Sequence, residues 1–97
     1  MIKFFFDKRT EDIFIRKRTK AAMIACPEQI WRVAQRKLDL LNAVVSLSSL
    51  RIPPGNELEA LKNERFGQHS IRINDQYRVC FVWAEEGSKR VEISDYH

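Results

Sequence analysis

The fold is decided by residues 71–83, which read IRINDQYRVCFVW. Runs of β-branched and aromatic residues flank the polar triplet Asn74-Asp75-Gln76, a pattern typical of antiparallel strands joined by a turn. The residues that follow contain Gly87, which predicts a second turn over 84–88 and a last strand over 89–95. The C-terminal half of the chain is therefore predicted to form a three-stranded meander.

The register of the first hairpin follows from keeping its apolar residues on one face of the sheet. With residues 74–76 as the loop, Ile71 faces Val79. Arg72 then faces Arg78 on the opposite side, an arrangement that is destabilising unless something offsets the like charges. A nearby carboxylate, solvation of the two long side chains, or a bound phosphate would each do so.

The second hairpin brings the chain end to the same arginines. If the apolar residues of the last strand face the core, Ser94 or Tyr96 lies beside Arg78. Residues 95–97 are therefore expected near Arg72 and Arg78. The alternative is an ordinary exposed chain end, where the last residues are idle.

Residues of this kind suit RNA cleavage without a metal. The reaction needs a base for the ribose 2′-OH, an acid for the leaving 5′-oxygen, and cations for the charge on the phosphorus oxygens. His97 titrates near neutral pH, Asp95 would act as a base or orient His97, and Tyr96 would donate a proton or stack on a base. The cations available to hold a phosphate are Arg72, Arg78 and Lys62.

The first half of the chain predicts one short strand and two helices. The triple Phe within residues 2–6 is typical of a strand. Thr10 fits an N-cap, with acidic residues in the first turn and basic residues in the last, which predicts a short helix over 10–18. A longer helix is predicted over 27–46, with Pro27 at its first position, because apolar residues recur at helical spacing. These residues are Ile30, Val33, Ala34, Leu38, Leu41, Val44 and Val45.

Together these elements predict an α+β fold. Two helices would pack on one face of an antiparallel sheet to which the N-terminal strand is added. With 97 residues, 44% of them hydrophobic and 31% charged, we expect one domain over residues 1–97. No apolar run approaches the roughly 18 residues of a membrane span, so we expect a cytoplasmic protein without membrane contact.

The net charge limits the kinds of partner to expect, and the positions of the cysteines limit the kinds of site. The net charge is +4, and residues 1–20 hold 7 basic and 3 acidic side chains, which suits an anionic partner or a solvated surface. Cys26 and Cys80 lie 54 positions apart and belong to no ligand motif, and His69 and His97 are too few to complete a typical zinc site. We expect reduced, buried thiols, no metal and no cofactor.

The chain resembles the HigB toxins of the RelE/ParE superfamily of bacterial toxin–antitoxin systems. The resemblance is carried by residues 53–83, above all SIRINDQYR at 70–78, and by VEISDYH at 91–97. The opening MIKFF and the helix predicted over 27–46 also fit, so essentially the whole chain is covered. A RelE-like fold is implied.

The resemblance implies a ribosome-dependent mRNA interferase. Such a toxin enters the A site of the 70S ribosome and cuts the translated mRNA, which arrests translation and growth. It is neutralised by a HigA-type helix-turn-helix antitoxin, and operator DNA is contacted only through the toxin–antitoxin complex.

Individual roles carry over where the residues match the family pattern. Asp95, Tyr96 and His97 match the catalytic terminal Asp-Tyr-His. Arg78 matches the phosphate-contacting arginine, and Lys62 the lysine near the substrate.

Other residues of the predicted site are less closely tied to the family pattern. Glu59 stands where some HigB toxins have histidine, so it either moves a proton in catalysis or is a surface charge. His69 stands where relatives often have an aromatic residue and is expected to stack or pack. The predicted substrate-binding residues are Lys62, Arg65, His69 and Arg72.

Two alternatives to the interferase remain open. ParE-type relatives share the architecture but poison DNA gyrase without cutting RNA. An attenuated toxin would act mainly by binding its antitoxin and regulating its own operon. The terminal Asp95-Tyr96-His97 favours the interferase, because a gyrase poison has no evident use for those side chains.

Overall fold

A computed structural model describes residues 1–95 and confirms the predicted α+β class. A four-stranded antiparallel sheet has the order β1-β2-β3-β4. The helices are α1 (Lys8–Phe14), α2 (Lys20–Ala25) and α3 (Trp31–Ala43). The strands are β1 (Glu59–Ala60), β2 (His69–Arg72), β3 (Arg78–Ala84) and β4 (Gly87–Ser94).

The predicted hairpin register is confirmed. Arg72 pairs with Arg78 and Ile71 with Val79. The turn is closed by the Asn74 side chain, whose Oδ1 accepts hydrogen bonds from the backbone N–H groups at 76 and 77. On the other side of β3, Arg78 pairs with Ser94, as the alternation predicted.

The N-terminal segment lies where the predicted strand was expected but is not a regular strand. It runs parallel to β4, and the Lys3 and Phe6 amides donate to the carbonyls of Ser88 and Val91 at 2.7 and 2.9 Å. The pairing is limited to two isolated bridges. The physical reason lies in β4, where Arg90 has a φ of 53° and the ladder to β3 is irregular.

The helix predicted over 10–18 begins and ends earlier. Asp7, not Thr10, is the N-cap, and its carboxylate accepts from the Thr10 amide at 3.1 Å. The helix ends at Phe14, because Arg16 takes a left-handed φ of 63°. Thr10 is buried instead, and its hydroxyl accepts from the Ile93 amide at 2.9 Å.

The prediction of two helices was incomplete. Helix α2, capped by the Thr19 hydroxyl, has six residues and too little periodicity to be predicted. Strand β1 has two residues and was missed for the same reason. Because α1 and α3 contact the sheet while α2 packs on α1, the predicted two-helix layer is nevertheless present.

The helix predicted over 27–46 is shorter at both ends. Pro27 precedes a 3₁₀ turn at Glu28–Ile30, and α3 itself begins at Trp31. At the other end, Val44 takes an extended conformation, and the Val45 side chain is 93% exposed, so its assignment to the core was wrong. Adjacent β-branched residues favour this exit from the helix.

The core lies on one face of the sheet. Its fully buried members come from the three helices, the loop after α3 and the strands: Ile13, Ala22, Ala34, Leu38, Leu41, Leu50, Ile71, Val79, Phe81 and Val91. Successive side chains of a strand point to opposite faces, so the residues between these positions form a second face. That second face carries the candidate site.

Candidate active site

The second face of the sheet consists of two rows of polar side chains, and we call it the polar face. Paired residues of neighbouring strands share a face, so each row follows from the register. One row is Glu59, Ser70, Cys80 and Glu92. The other row is Arg72, Arg78 and Ser94.

Arg78 is held in place by two uncharged oxygens. Its Nε donates to Ser70 Oγ at 2.7 Å, and its Nη2 donates to the carbonyl of Glu57 at 2.5 Å. Ser70 is fully buried, which makes it a rigid acceptor. These bonds fix the direction of the guanidinium without neutralising its charge. A group held in this way is suited to contact a phosphate oxygen.

Arg72, directly opposite Arg78, is compensated by carboxylates. Its Nη2 donates to Asp75 Oδ1 at 2.5 Å, and its Nε lies 3.4 Å from Glu57 Oε2. The Asp75 side chain is 99% exposed, so this ion pair is open to competition by another anion. Of the three ways to offset the like charges, the structure shows carboxylates.

Arg65 reaches the polar face from outside the sheet. It belongs to a 3₁₀ turn at Asn63–Arg65 in the connection between β1 and β2. Its Nη1 donates to Glu92 Oε1 at 3.2 Å, and its Nη2 donates to Ser94 Oγ at 3.1 Å. The side chain therefore spans from the β1–β2 side of the sheet to β4.

Cys80 lies in the middle of this face and is fully buried. Burial raises the pKa of its thiol to about 11. The thiol is thus protonated at neutral pH, which makes it a packing group rather than a nucleophile.

Asp95 directly follows Ser94, the pairing partner of Arg78. Its Oδ2 accepts from Gln76 Nε2 at 3.0 Å. A cleft of about 380 Å³ lies beside it, with Tyr77 and Ser94 in the wall. The predictions for Tyr96 and His97 concern residues outside the described range.

Glu59 and Lys62 share one edge of the sheet. Both side chains are exposed, and both line a shallow cavity of about 370 Å³ together with Leu61. Glu59 pairs with Ser70, the residue that holds Arg78. The two residues predicted from the Glu-Ala-Leu-Lys stretch therefore lie together at the β1 edge of the sheet, and β2 separates them from the strand of Arg78.

His69 points to the core side of the sheet instead. It pairs with Phe81, and the two rings stack with their centroids 6.3 Å apart. Burial lowers the pKa of His69 below its usual 6.5, and the charge of Arg51 adds to that effect. Its contacts are those of a packing residue, and its role in substrate binding stays a prediction.

Sequence reasoning missed three residues that shape the polar face: Glu57, Ser70 and Glu92. Ser70 and Glu92 lie two residues from Arg72 and Ser94 on strands that were predicted. The alternation of side chains that placed Arg72 and Arg78 on one face therefore also predicts Ser70 and Glu92 there. Glu57 follows a turn at 54–56 and has a left-handed φ of 46°, which no simple pattern predicts.

Metal-binding groups and membrane-spanning helices are absent from the 95 residues that the structure describes. No group of three or more His, Cys, Asp or Glu side chains among them is arranged to hold a metal ion. No helix in that part of the chain has the length and apolar character needed to cross a bilayer.

Comparison with known proteins gives matches along the chain. A family model described as the RelE-like toxin of type II toxin–antitoxin system HigB matches residues 3–97. Toxin HigB-1 of Vibrio cholerae serotype O1 is 46% identical over 59 residues, which is 61% of this chain and 62% of that protein. An uncharacterized protein of Haemophilus influenzae is 39% identical over 57 residues, which is 59% of this chain and 56% of that protein. The chain thus spans about three fifths of the length of the curated relatives it matches.

Proposed function

The chain belongs to the RelE-like HigB toxins of type II toxin–antitoxin systems, and from that premise we propose that it is a ribosome-dependent mRNA interferase. It acts in the cytoplasm, where it cuts translated mRNA in the A site of the 70S ribosome without a metal or other cofactor. Membership of a type II system implies an antitoxin partner. We propose a HigA-type helix-turn-helix protein, through which the pair contacts operator DNA.

The observation that carries the proposal is the fixed guanidinium of Arg78. Its hydrogen bonds go to Ser70 Oγ and a backbone carbonyl, so its positive charge is held in place and available to an anion. When the 2′-OH attacks phosphorus, negative charge builds on the non-bridging oxygens. A preorganised cation at that point lowers the barrier more than it stabilises the bound substrate.

Proton transfer is assigned to the chain end. The 2′-oxygen forms a bond to phosphorus and gives its proton to a base, while the 5′-oxygen leaves and takes a proton from an acid. The products are a 2′,3′-cyclic phosphate and a free 5′-hydroxyl. We assign these transfers to Asp95, Tyr96 and His97, with Glu59 as a further proton-moving group. Asp95 supports this assignment because it adjoins Ser94, the partner of Arg78.

The other cations bind the RNA backbone in this proposal. Lys62 stands at the edge cavity with Glu59, and Arg65 and Arg72 stand on the polar face. Incoming phosphate would compete with Asp75 for Arg72, because that carboxylate is almost fully exposed.

The experiment is a cell-free translation reaction with a defined message, read by primer extension. The purified protein and its His97→Ala variant are each added with and without ribosomes. We expect cuts within the reading frame that require ribosomes and disappear in the variant. An intact message in this reaction would contradict the interferase. Growth arrest on expression in cells together with stabilised gyrase–DNA cleavage in a separate gyrase assay would then establish the ParE-like activity.

A further inference from the structure

One carboxylate on the polar face faces two guanidinium groups. Glu92 pairs with Cys80 in the sheet, and its side chain is only 15% exposed. Its Oε1 accepts from Arg65 Nη1 at 3.2 Å and lies 3.6 Å from Arg90 Nη1. A half-buried carboxylate between two guanidiniums is held more firmly than a surface ion pair.

Arg90 is itself anchored on the far side of Glu92. Its guanidinium carbon lies 4.3 Å from the centroid of the Phe6 ring, a cation–π contact. A continuous series of contacts therefore runs from Phe6 through Arg90 and Glu92 to Arg65. Only the last member of the series reaches the row of Arg78.

The geometry brings a second cation, Arg65, to the strand that pairs with Arg78. Arg65 Nη2 donates to Ser94 Oγ at 3.1 Å, and Ser94 is the pairing partner of Arg78. Arg65 is therefore hydrogen-bonded to β4 immediately before Asp95, whereas the Arg78 guanidinium extends from β3 toward Ser70 and Glu57. Two fixed guanidiniums on one face offer more donors to an RNA backbone than a single arginine does.

We propose that Glu92 is a positioning residue, which holds Arg65 across the polar face at Ser94 so that Arg65 binds a phosphate of the RNA backbone beside Asp95. This inference rests on the proposed function, because that function supplies the phosphate. We propose no contact between Glu92 and the substrate. Its effect passes through the direction of the Arg65 side chain. Arg65 Nη1 also donates to Gln68 Oε1 at 3.1 Å and Nη2 to Ser94, so Glu92 supplies the charged partner among these contacts.

The test is a double-mutant cycle on cleavage of ribosome-bound mRNA. Glu92→Gln keeps the shape of the side chain but removes the charge that holds Arg65. We expect Glu92→Gln and Arg65→Ala each to lower kcat/KM by about 10- to 100-fold. The double variant should be no slower than Arg65→Ala alone, because Glu92 has nothing left to position. Glu86→Gln is the matched control, since Glu86 pairs with Lys89 in the β3–β4 hairpin and lies outside the polar face.

A merely structural ion pair would behave differently. It would shift the urea midpoint of Glu92→Gln without changing kcat/KM, or lower the activity of the wild-type and Arg65→Ala backgrounds by equal factors. Either result would overturn the positioning role.

A second readout separates this inference from the proposed function. Binding of a short 2′-O-methyl RNA, which cannot be cleaved, is measured for the same four proteins. Parallel losses of affinity in Glu92→Gln and Arg65→Ala would support the positioning role even if wild-type protein left ribosomal mRNA intact. Unchanged affinity with unchanged cleavage in Glu92→Gln would refute the positioning role while the interferase stands.

Discussion

Among single residues, Arg78 and Arg72 face each other across one strand pair but have different surroundings. Arg78 donates to uncharged oxygens, whereas Arg72 has two carboxylates within 3.4 Å. The pairing of like charges is tolerated because Glu57 serves both residues, with its carbonyl for one and its carboxylate for the other. This difference supports the proposal that Arg78 is the main contact for the substrate phosphate.

His69 should be neutral at physiological pH. Burial, aided by Arg51, lowers its pKa below 6.5, so we expect an NMR titration midpoint under that value. The native state disfavours the charged ring, so His69 favours folding while it is neutral. This contribution to the free energy of unfolding is present above pH 6.5 and is lost as the pH falls through the folded pKa. Loss of the imidazole resonance in His69→Gln identifies which NMR signal belongs to His69. The same variant should show a smaller fall in stability as the pH drops below 6.5. A midpoint at or above 6.5 would contradict the assignment.

At the scale of elements, short pieces are joined by specific polar contacts. Asp12 in α1 accepts from the Thr19 hydroxyl at 2.6 Å and from Lys8 Nζ at 2.9 Å, and its side chain is 2% exposed. Thr19 in turn caps α2. A single carboxylate therefore links two helices of seven and six residues, which are too short to be stable alone.

Asp12 should make folding stability sensitive to acid. The hydrogen bond from Thr19, followed by that from Lys8, lowers the pKa of Asp12 below its usual 3.8. The ionised form thus stabilises the native state above that pH, and this contribution is lost as the pH falls through the folded pKa. Urea midpoints measured from pH 7 to pH 2 should fall for wild type and change less for Asp12→Asn.

Glu85→Gln, at an exposed position of the β3–β4 turn, is the control for this measurement. Identical acid slopes for wild type and Asp12→Asn would show that Asp12 does not contribute.

Gly87 should be required for docking of the N-terminal segment. It has a φ of 144°, and a Cβ at this position would lie 2.3 Å from the Met1 carbonyl oxygen. We expect Gly87→Ala to destabilise the fold by about 1–3 kcal/mol and to speed hydrogen exchange at the Lys3 and Phe6 amides. Gly55→Ala, where a Cβ meets open space, is the control. Equal stability of the two variants would contradict the role of Gly87.

Elements with a repeating signal could be predicted from the sequence, and the rest could not. The hairpin register followed from one rule, because a slip by one residue would have buried Arg72 and Arg78. Strand β1 and helix α2 are too short to show a period. The same limit holds at the site. The alternation of side chains along a strand predicts the face on which Arg78 lies, but the contact of Arg65 with Ser94 begins in an irregular turn and depends on tertiary packing.

In the molecule as a whole, the two faces of the sheet differ in composition: one is the apolar core and the other is the polar face. The core lies on one face, where α1 and α3 contact the sheet, and the polar face carries Arg78, Arg65 and Glu92. The sheet holds Arg78 and Glu92 in fixed rows, and Glu92 in turn contacts Arg65 from the β1–β2 connection. Such fixed groups suit the proposed stabilisation of a short-lived charge distribution. We therefore predict that activity depends on the polar face and not on the excess of basic residues elsewhere.

The most direct test of this central claim compares two arginine variants in single-turnover cleavage of ribosome-bound mRNA. Arg78 lies on the polar face, whereas Arg18 pairs with Glu28 on the helical side and is 64% exposed. Both Arg78→Ala and Arg18→Ala remove one positive charge. We predict that Arg78→Ala lowers the cleavage rate constant by about 100-fold or more, while Arg18→Ala changes it less than about twofold. Equal rates for the two variants would contradict the account.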